Sequence, residues 1–169
     1  PAPLTLRAKA SFEIFWWDVS IRVNATLAEG SAPALPAAVD VFEQLRGALR
    51  DVRNWHAELP AAQTRVVSLR DAAADSALRV HPLGIPRVRQ GVVPLNLTRD
   101  IERFGEAPVA GATRFDVSAA LIDGASVSRT MIGDDFAPAQ FFEMTDEEKR
   151  AAPQYEPMDA GIAFGSLGS

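Results

Sequence analysis

An α+β fold built mainly from antiparallel sheet is what this sequence predicts, on three observations. Residues 4–27 alternate apolar and polar with period two, and an Asp-Gly pair sits between two further alternating stretches. No glycine-rich strand-to-helix turn, βαβ rhythm or fixed-period repeat is present. On this reading one amphipathic helix packs on the sheet, and one or two short helices follow near the C-terminus.

Leu4, Leu6, Ala8, Ala10, Phe12, Ile14 and Trp16 form the first apolar stripe; after Phe15-Trp16-Trp17 the set becomes Trp17, Val19, Ile21, Val23, Ala25 and Leu27. Strand side chains point alternately to two faces, so the one-residue slip in phase requires a bulge, a bend or a tight turn at the triplet. The stripe is under way directly behind Pro1, as expected of a segment cut from a longer β-rich polypeptide. Glu29 to Pro36 is a breaker-rich connection. Beyond it, Ala38, Val41, Phe42, Leu45, Ala48, Leu49 and Val52 recur at spacings of three and four, which predicts a helix from Ala37 to about Arg53. Asn54-Trp55 ends it, with Trp55 dropping into the core.

Arg65–Leu69, Leu78–His81 and Arg87–Val93 predict strands, the last two joined through Pro82-Leu83-Gly84-Ile85-Pro86. Those prolines favour an edge or irregular pairing. Asp71–Ala77 fits a helical turn or a loop, Thr98–Phe104 fits strand or helix, and Gly105–Gly111 reads as a loop. The clearest hairpin joins Thr113–Ile122 to Ala125–Ile132 through Asp123-Gly124, two residues that tolerate the positive φ a tight hairpin demands. Pro138 starts a helical turn that carries Phe141 and Phe142 inward. Thr145-Asp146-Glu147-Glu148 is a capping box, opening a helix that runs to about Ala152 and stops before Pro153.

Size and composition narrow the class. A chain of 169 residues fits one domain, here residues 1–169, and at 47% apolar and 23% charged it has the composition of a folded protein. With no cysteine, disulfides, thiolate nucleophiles and Cys-ligated zinc are excluded. The net charge of −5 is concentrated late: residues 104–169 hold four basic and eleven acidic residues. That balance repels phosphate backbones and argues against nucleic acid as a partner. No apolar run is long enough for a helical membrane span.

Candidate chemistry is sparse. His56 and His81 have no His, Asp or Glu at metal-pairing spacings, and His56 reads as a cap or surface residue at a helix end. If the strands on either side of Gly84 pair, Arg79, His81, Arg87 and Arg89 share one face that could grip a carboxylate or phosphate. The bland alternative is a solvated basic face opposing the acidic C-terminal third. Asp134-Asp135 reads as a turn plus a helix N-cap, and becomes a hydrolytic pair only if His56 or His81 lies within reach. Ser166 lacks the nucleophile-elbow spacing and belongs to a tail. Trp16, Trp17 and Trp55 could stack a ligand, but at a phase break the first two must face opposite ways. Core packing on one side and an interface aromatic on the other is the preferred account. No catalytic set, metal cluster or cofactor motif is assigned.

Several segments carry a resemblance: Ala10-Ser11-Phe12-Glu13-Ile14 with Asp18-Val19-Ser20, then Arg53-Asn54-Trp55 and Glu58-Leu59-Pro60, then Val80-His81-Pro82-Leu83-Gly84. They continue through Arg89-Gln90 with Val93-Pro94-Leu95, and through Phe136-Ala137-Pro138-Ala139-Gln140-Phe141-Phe142 to Met144-Thr145-Asp146-Glu147-Glu148-Lys149. The chain thus resembles the C-terminal region of large bacterial β-rich proteins that carry a domain of unknown function. The resemblance implies a piece that closes a long β structure, and brings no catalytic residues with it. The expected function is a non-catalytic structural or interaction module that caps or extends a larger β-rich assembly, with protein as its partner and Phe15, Trp16 and Trp17 at the contact. The alternatives are an anion- or ligand-binding module using the Arg/His face, and a hydrolase.

Overall fold

The computed structural model describes residues 5–14, 17–27, 38–59 and 84–165. In chain order the elements are β1 (Thr5–Ile14), β2 (Trp17–Leu27), β3 (Val39–Asp40), α1 (Val41–Arg50), β4 (Trp55–Glu58), β5 (Ile85–Arg89), β6 (Arg103–Phe104) and β7 (Ala107–Ala110). They continue with β8 (Ala112–Ile122), β9 (Ala125–Val127), β10 (Arg129–Phe136), α2 (Asp146–Ala151) and β11 (Glu156–Phe164). The expected strands Arg65–Leu69 and Leu78–His81, the Asp71–Ala77 segment and the Ser166 tail lie outside the described residues.

The opening phase slip is explained by a hairpin. β1 and β2 pair antiparallel without interruption from Thr5↔Thr26 to Ile14↔Trp17. In this register every even position of one arm stands opposite an odd position of the other, so the slip is what keeps both apolar stripes together: Leu6 is opposite Ala25, Ala8 opposite Val23, Ala10 opposite Ile21 and Phe12 opposite Val19. Ile21 and Val23 are buried. β8 lies on the far side of β2 and β9 follows it, giving a four-stranded antiparallel sheet in the order β1-β2-β8-β9.

Asp123 and Gly124 make the tight turn from β8 to β9, with φ of 48° and 79°, as a two-residue hairpin with right-handed strand twist requires. The returning arm is shorter than the alternation predicts. It pairs with β8 only from Ala125 to Val127, and after Ser128 the chain enters β10 in a second sheet. Val127 and Met131 keep the same parity across that crossing, so periodicity conceals it.

The second sheet runs β10-β11-β5-β4, all antiparallel. Its strand β11 had no counterpart in the expected elements: Glu156–Phe164 holds a Pro and a Gly, and Ala160–Phe164 are buried without alternation. β5 ends at Arg89 rather than Val93. Pro86 within it stands opposite Ala57 of β4 and beyond the last β11 pair, Arg87↔Ala163, so at the proline only one ladder is present. A bulge separates Ile132↔Gly161 from Gly133↔Asp159, leaving Ala160 as the extra residue, whose carbonyl accepts the Gln90 N–H at 3.1 Å. A third, small sheet places β7 between β3, which runs parallel to it, and β6. β7 occupies the stretch expected as a loop.

α1 is shorter than its periodicity predicts, because residues 39–40 pair with β7 and Val52–Asn54 form a 3₁₀ turn. Asp40 caps it, its carboxylate accepting the Glu43 N–H, and Val41, Leu45 and Leu49 are buried. Phe42 stacks on Phe115 of β8 with ring centres 6.3 Å apart. Trp55 is buried, its indole N–H donating to the Leu49 carbonyl at 2.8 Å and its ring 5.7 Å from that of Phe164. These residues join Val88, Ile162, Phe136 and Phe141 in one apolar cluster drawn from both four-stranded sheets and α1.

Candidate functional site

β5 alternates Pro86 and Val88, both buried, with Ile85, Arg87 and Arg89. Alternation therefore brings Arg87 and Arg89 to one face, and the register adds His56 of β4 directly opposite Arg87. Each guanidinium already meets a carboxylate. Arg87 Nη2 lies 2.5 Å from Glu58 Oε2, and Arg89 Nε lies 3.7 Å from Asp134 Oδ2 of β10. Arg87 is the more enclosed, its side chain 19% exposed, and its Nε is buried with no hydrogen-bond partner among the described residues. Arg79 and His81 lie outside the described residues, so of the four-residue face the structure brings together Arg87 and Arg89.

Asp134 and Asp135 belong to β10, past the point where it faces the Ala160 bulge of β11, and do not form the expected turn and N-cap. The 3₁₀ turn at Pro138–Gln140 is capped by Ala137, with no side-chain hydrogen bond. Asp134 Oδ1 instead accepts the Asp135 N–H at 3.0 Å. β4 and β10 form opposite margins of their sheet, with β5 and β11 between them. Three strand spacings, about 14 Å, and a further offset along β10 separate the backbones of His56 and Asp134, because the register sets His56 level with Thr130; that is too far for direct proton transfer. Among the described residues no three His, Asp or Glu groups are placed to hold a metal ion.

Of two polar side chains that the sequence did not single out, Gln90 closes the turn after β5 and Asn96 joins the two sheets. Gln90 is 1% exposed; its Oε1 accepts the N–H groups of Val92 and Val93 at 2.7 and 3.0 Å, and its Nε2 donates to the Val93 carbonyl at 2.6 Å. Asn96 adopts φ 52°, donates to Asp159 Oδ2 of β11 at 2.8 Å and accepts the Val117 N–H of β8 at 3.0 Å. Asparagine's tolerance of positive φ is the one signal that could have found it. Downstream, Glu102 accepts the Glu143 N–H at 2.6 Å, and the Arg99 guanidinium sits 3.4 Å from the centre of the Phe142 ring. Thr145 and Glu148 form a reciprocal capping box; the Thr145 N–H and hydroxyl, both donating to the Glu148 carboxylate, hold its pKa below the ordinary value. Beside α2 is an open hollow of about 300 Å³ lined by Ala137, Ala139, Met144, Lys149, Pro153 and Tyr155.

Backbone edges differ more than side-chain clusters do. β8 is bordered by β9 over Ala120–Ile122; upstream, the N–H groups of Asn96 and Ile101 donate to the Phe115 and Thr113 carbonyls, each at 2.8 Å. β4 is four residues long, and β10 bears two adjacent aspartates where it pairs with β11 beyond the Ala160 bulge. Short strands, bulges and charges are the usual ways of blunting a sheet edge. β1 is ten residues long with an unbroken register, and among the described residues no strand lies on its outer side. Of the expected contact residues, Trp17 opens β2 opposite Ile14, whereas Phe15 and Trp16 lie outside the described residues.

The geometry defines a β-rich domain in which one long edge strand, β1, pairs with no described strand on its outer side. The chain belongs to DUF6603, a family of unknown function, which it matches over residues 2–148. No curated protein and no solved structure matches it. Among the described residues no helix is long and apolar enough to cross a membrane.

Proposed function

We propose that this domain is a non-catalytic interaction module that caps or extends a larger β-rich assembly through the outer edge of β1. The observation that carries the reading is the contrast between that ten-residue edge of unbroken register and the short, charged or bordered edges elsewhere. An extended edge offers a row of backbone donors and acceptors that another strand can satisfy. Its partner is protein, either the rest of a parent chain or another subunit, in keeping with a net charge of −5. The domain is the C-terminal module of a large bacterial protein on this reading, with α1 and the turns around Phe141 and Phe142 covering apolar surface at the sheet end. Hydrogen exchange tests it. In dilute chain, alternate amides of Thr5–Ile14 exchange fast while those of β2 stay protected. Uniform protection along β1 in a monomer means the edge is sealed within the chain and overturns the reading.

One observation favours a second reading, anion binding at β5: the buried Arg87 Nε has no hydrogen-bond partner among the described residues. Glu58 and Asp134 compete for the same two guanidinium groups. Titration with inorganic phosphate, followed by the Arg87 Nε–H resonance, separates the readings, since the interaction module shows no saturable shift.

A further inference from the structure

Charge along β1 is arranged head to tail. At the positions alternating with its apolar stripe, Arg7 and Lys9 occupy the first half of the strand and Glu13 the second. The register sets Lys9 directly opposite Arg22, and Glu13 directly opposite Asp18. Like charges at opposed positions destabilise an antiparallel pair, so the hairpin alone carries one basic row and one acidic row. Ser11 opposite Ser20 lies midway between them.

We infer that the outer edge of β1 pairs antiparallel with β1 of a second copy of this chain, with Ser11 on the two-fold axis. This rests on β1 being a docking edge, and names its partner. With Ser11 opposite Ser11, Lys9 of each copy stands opposite Glu13 of the other. The rows on either side of the axis then read Arg22, Lys9, Glu13, Asp18 across the joined hairpins, so each like-charged pair of one copy meets its opposite in the other. Apolar positions match small to large: Ala10 opposite Phe12, and Ala8 opposite Ile14. In-register parallel pairing would instead set Lys9 against Lys9 and Glu13 against Glu13. Antiparallel pairing centred on Ala10 leaves the Lys9–Arg22 row facing Ser11. At the β10 edge the charges are already engaged within the chain, Arg129 donating to the Val117 carbonyl and Asp134 meeting Arg89. A two-fold contact uses one patch on both sides and joins two four-stranded sheets into one.

Sedimentation velocity of the full chain over a concentration series tests this, and a monomer–dimer equilibrium is expected. Lys9→Glu and Glu13→Lys each make both axial rows repulsive, and each raises the dissociation constant about tenfold or more. Mixed in equal amounts, the two variants complement one another and regain dimers, which also shows that both are folded. The chain has no cysteine, so Ser11→Cys supplies a single thiol. Opposed Cα atoms about 4.5–5.5 Å apart lie within disulfide range, and mild oxidation yields a covalent dimer where Thr5→Cys yields none. Ser11→Cys leaves the strand's charges intact and stands in should a charge variant fail to fold. A dimer indifferent to both charge reversals, or no dimer at about 0.1 mM, overturns the proposal. In the latter case, fast alternate amides in β1 leave the edge for a different protein, whereas protected amides overturn the docking edge as well.

Discussion

Replacing Gly161 with alanine tests what holds the second sheet together. Gly161 sits beside the Ala160 bulge, between Arg89 on one side and Ile132 on the other. A Cβ there would lie 2.9 Å from the Arg89 Cα and from the Val88 carbonyl carbon, and closer still to the Val88 oxygen. All three are backbone atoms of the adjoining strand, so no side chain can swing aside. β11 and β5 must separate where they share only three register pairs, Gly161↔Arg89, Ile162↔Val88 and Ala163↔Arg87. Overpacking of this kind costs about 1–3 kcal/mol. Val88 and Ile162, both buried, also lose part of the roughly 1.5–3 kcal/mol that burying each contributes. A destabilisation of about 3 kcal/mol is expected, a large share of the roughly 5–15 kcal/mol typical of a domain, lowering Tm by roughly 6–12 °C. Urea unfolding followed by circular dichroism and by tryptophan fluorescence, with Trp16 and Trp17 replaced by Phe so that Trp55 alone reports, measures it, since Trp55 lies against Phe164 of β11. Gly47→Ala in α1 is the control: nothing lies within 4 Å of its added Cβ, and helix propensity predicts a gain of up to about 1 kcal/mol. A Gly161→Ala chain within about 0.5 kcal/mol of the parent refutes the reasoning.

Three further outcomes follow from the polar groups. Gln90→Ala strips partners from two N–H groups and one carbonyl in the Gln90–Val93 turn and costs about 3 kcal/mol by denaturant titration; a loss under about 1 kcal/mol would mean that water replaces the amide. Asn96→Gly keeps the positive φ but loses the bonds to Asp159 and Val117, whereas Asn96→Ala loses both, so alanine is expected to be worse by about 1 kcal/mol in the same assay. The Arg53 side chain, hydrogen-bonded to Asp51, holds its carboxyl at about 2 against an ordinary 3.8, and the Arg53 backbone N–H adds to this. Because the folded-state pKa is the lower one, ionised Asp51 favours the folded chain above pH 3.8, and that contribution fades as pH falls towards 2. Carbon-detected NMR should find the midpoint near 2 and see Arg53→Ala return it towards 3.8; an unmoved midpoint contradicts the assignment.

Much of the first sheet was legible because its strands are half-buried and alternate: the slip at Phe15-Trp16-Trp17 coincides with the β1–β2 hairpin, and Asp123-Gly124 with the β8–β9 turn. The second sheet was not. β11 is buried without alternation at Ala160–Phe164, which removes the period-two signal, and its Pro157 and Gly161 read as breakers. β7, an Ala-Pro-Val-Ala stretch, is a strand only because tertiary pairing with β3 and β6 makes it one. At the candidate site, alternation along β5 puts Arg87 and Arg89 on one face, but their carboxylate partners Glu58 and Asp134 come from strands whose order no local pattern reveals. Gln90 and Asn96 escaped notice because an amide that satisfies backbone groups in a turn leaves no periodic trace.

Ser128 stands alone between the end of β9 in one sheet and the start of β10 in the other. Its carbonyl accepts the Gly165 N–H at 2.7 Å, while the neighbouring Arg129 reaches back to the Val117 carbonyl at 3.0 Å. A single-residue corner tied down on both sides gives the two layers no slack to come apart in turn. Heating the chain should therefore produce one calorimetric peak whose van't Hoff and measured enthalpies agree.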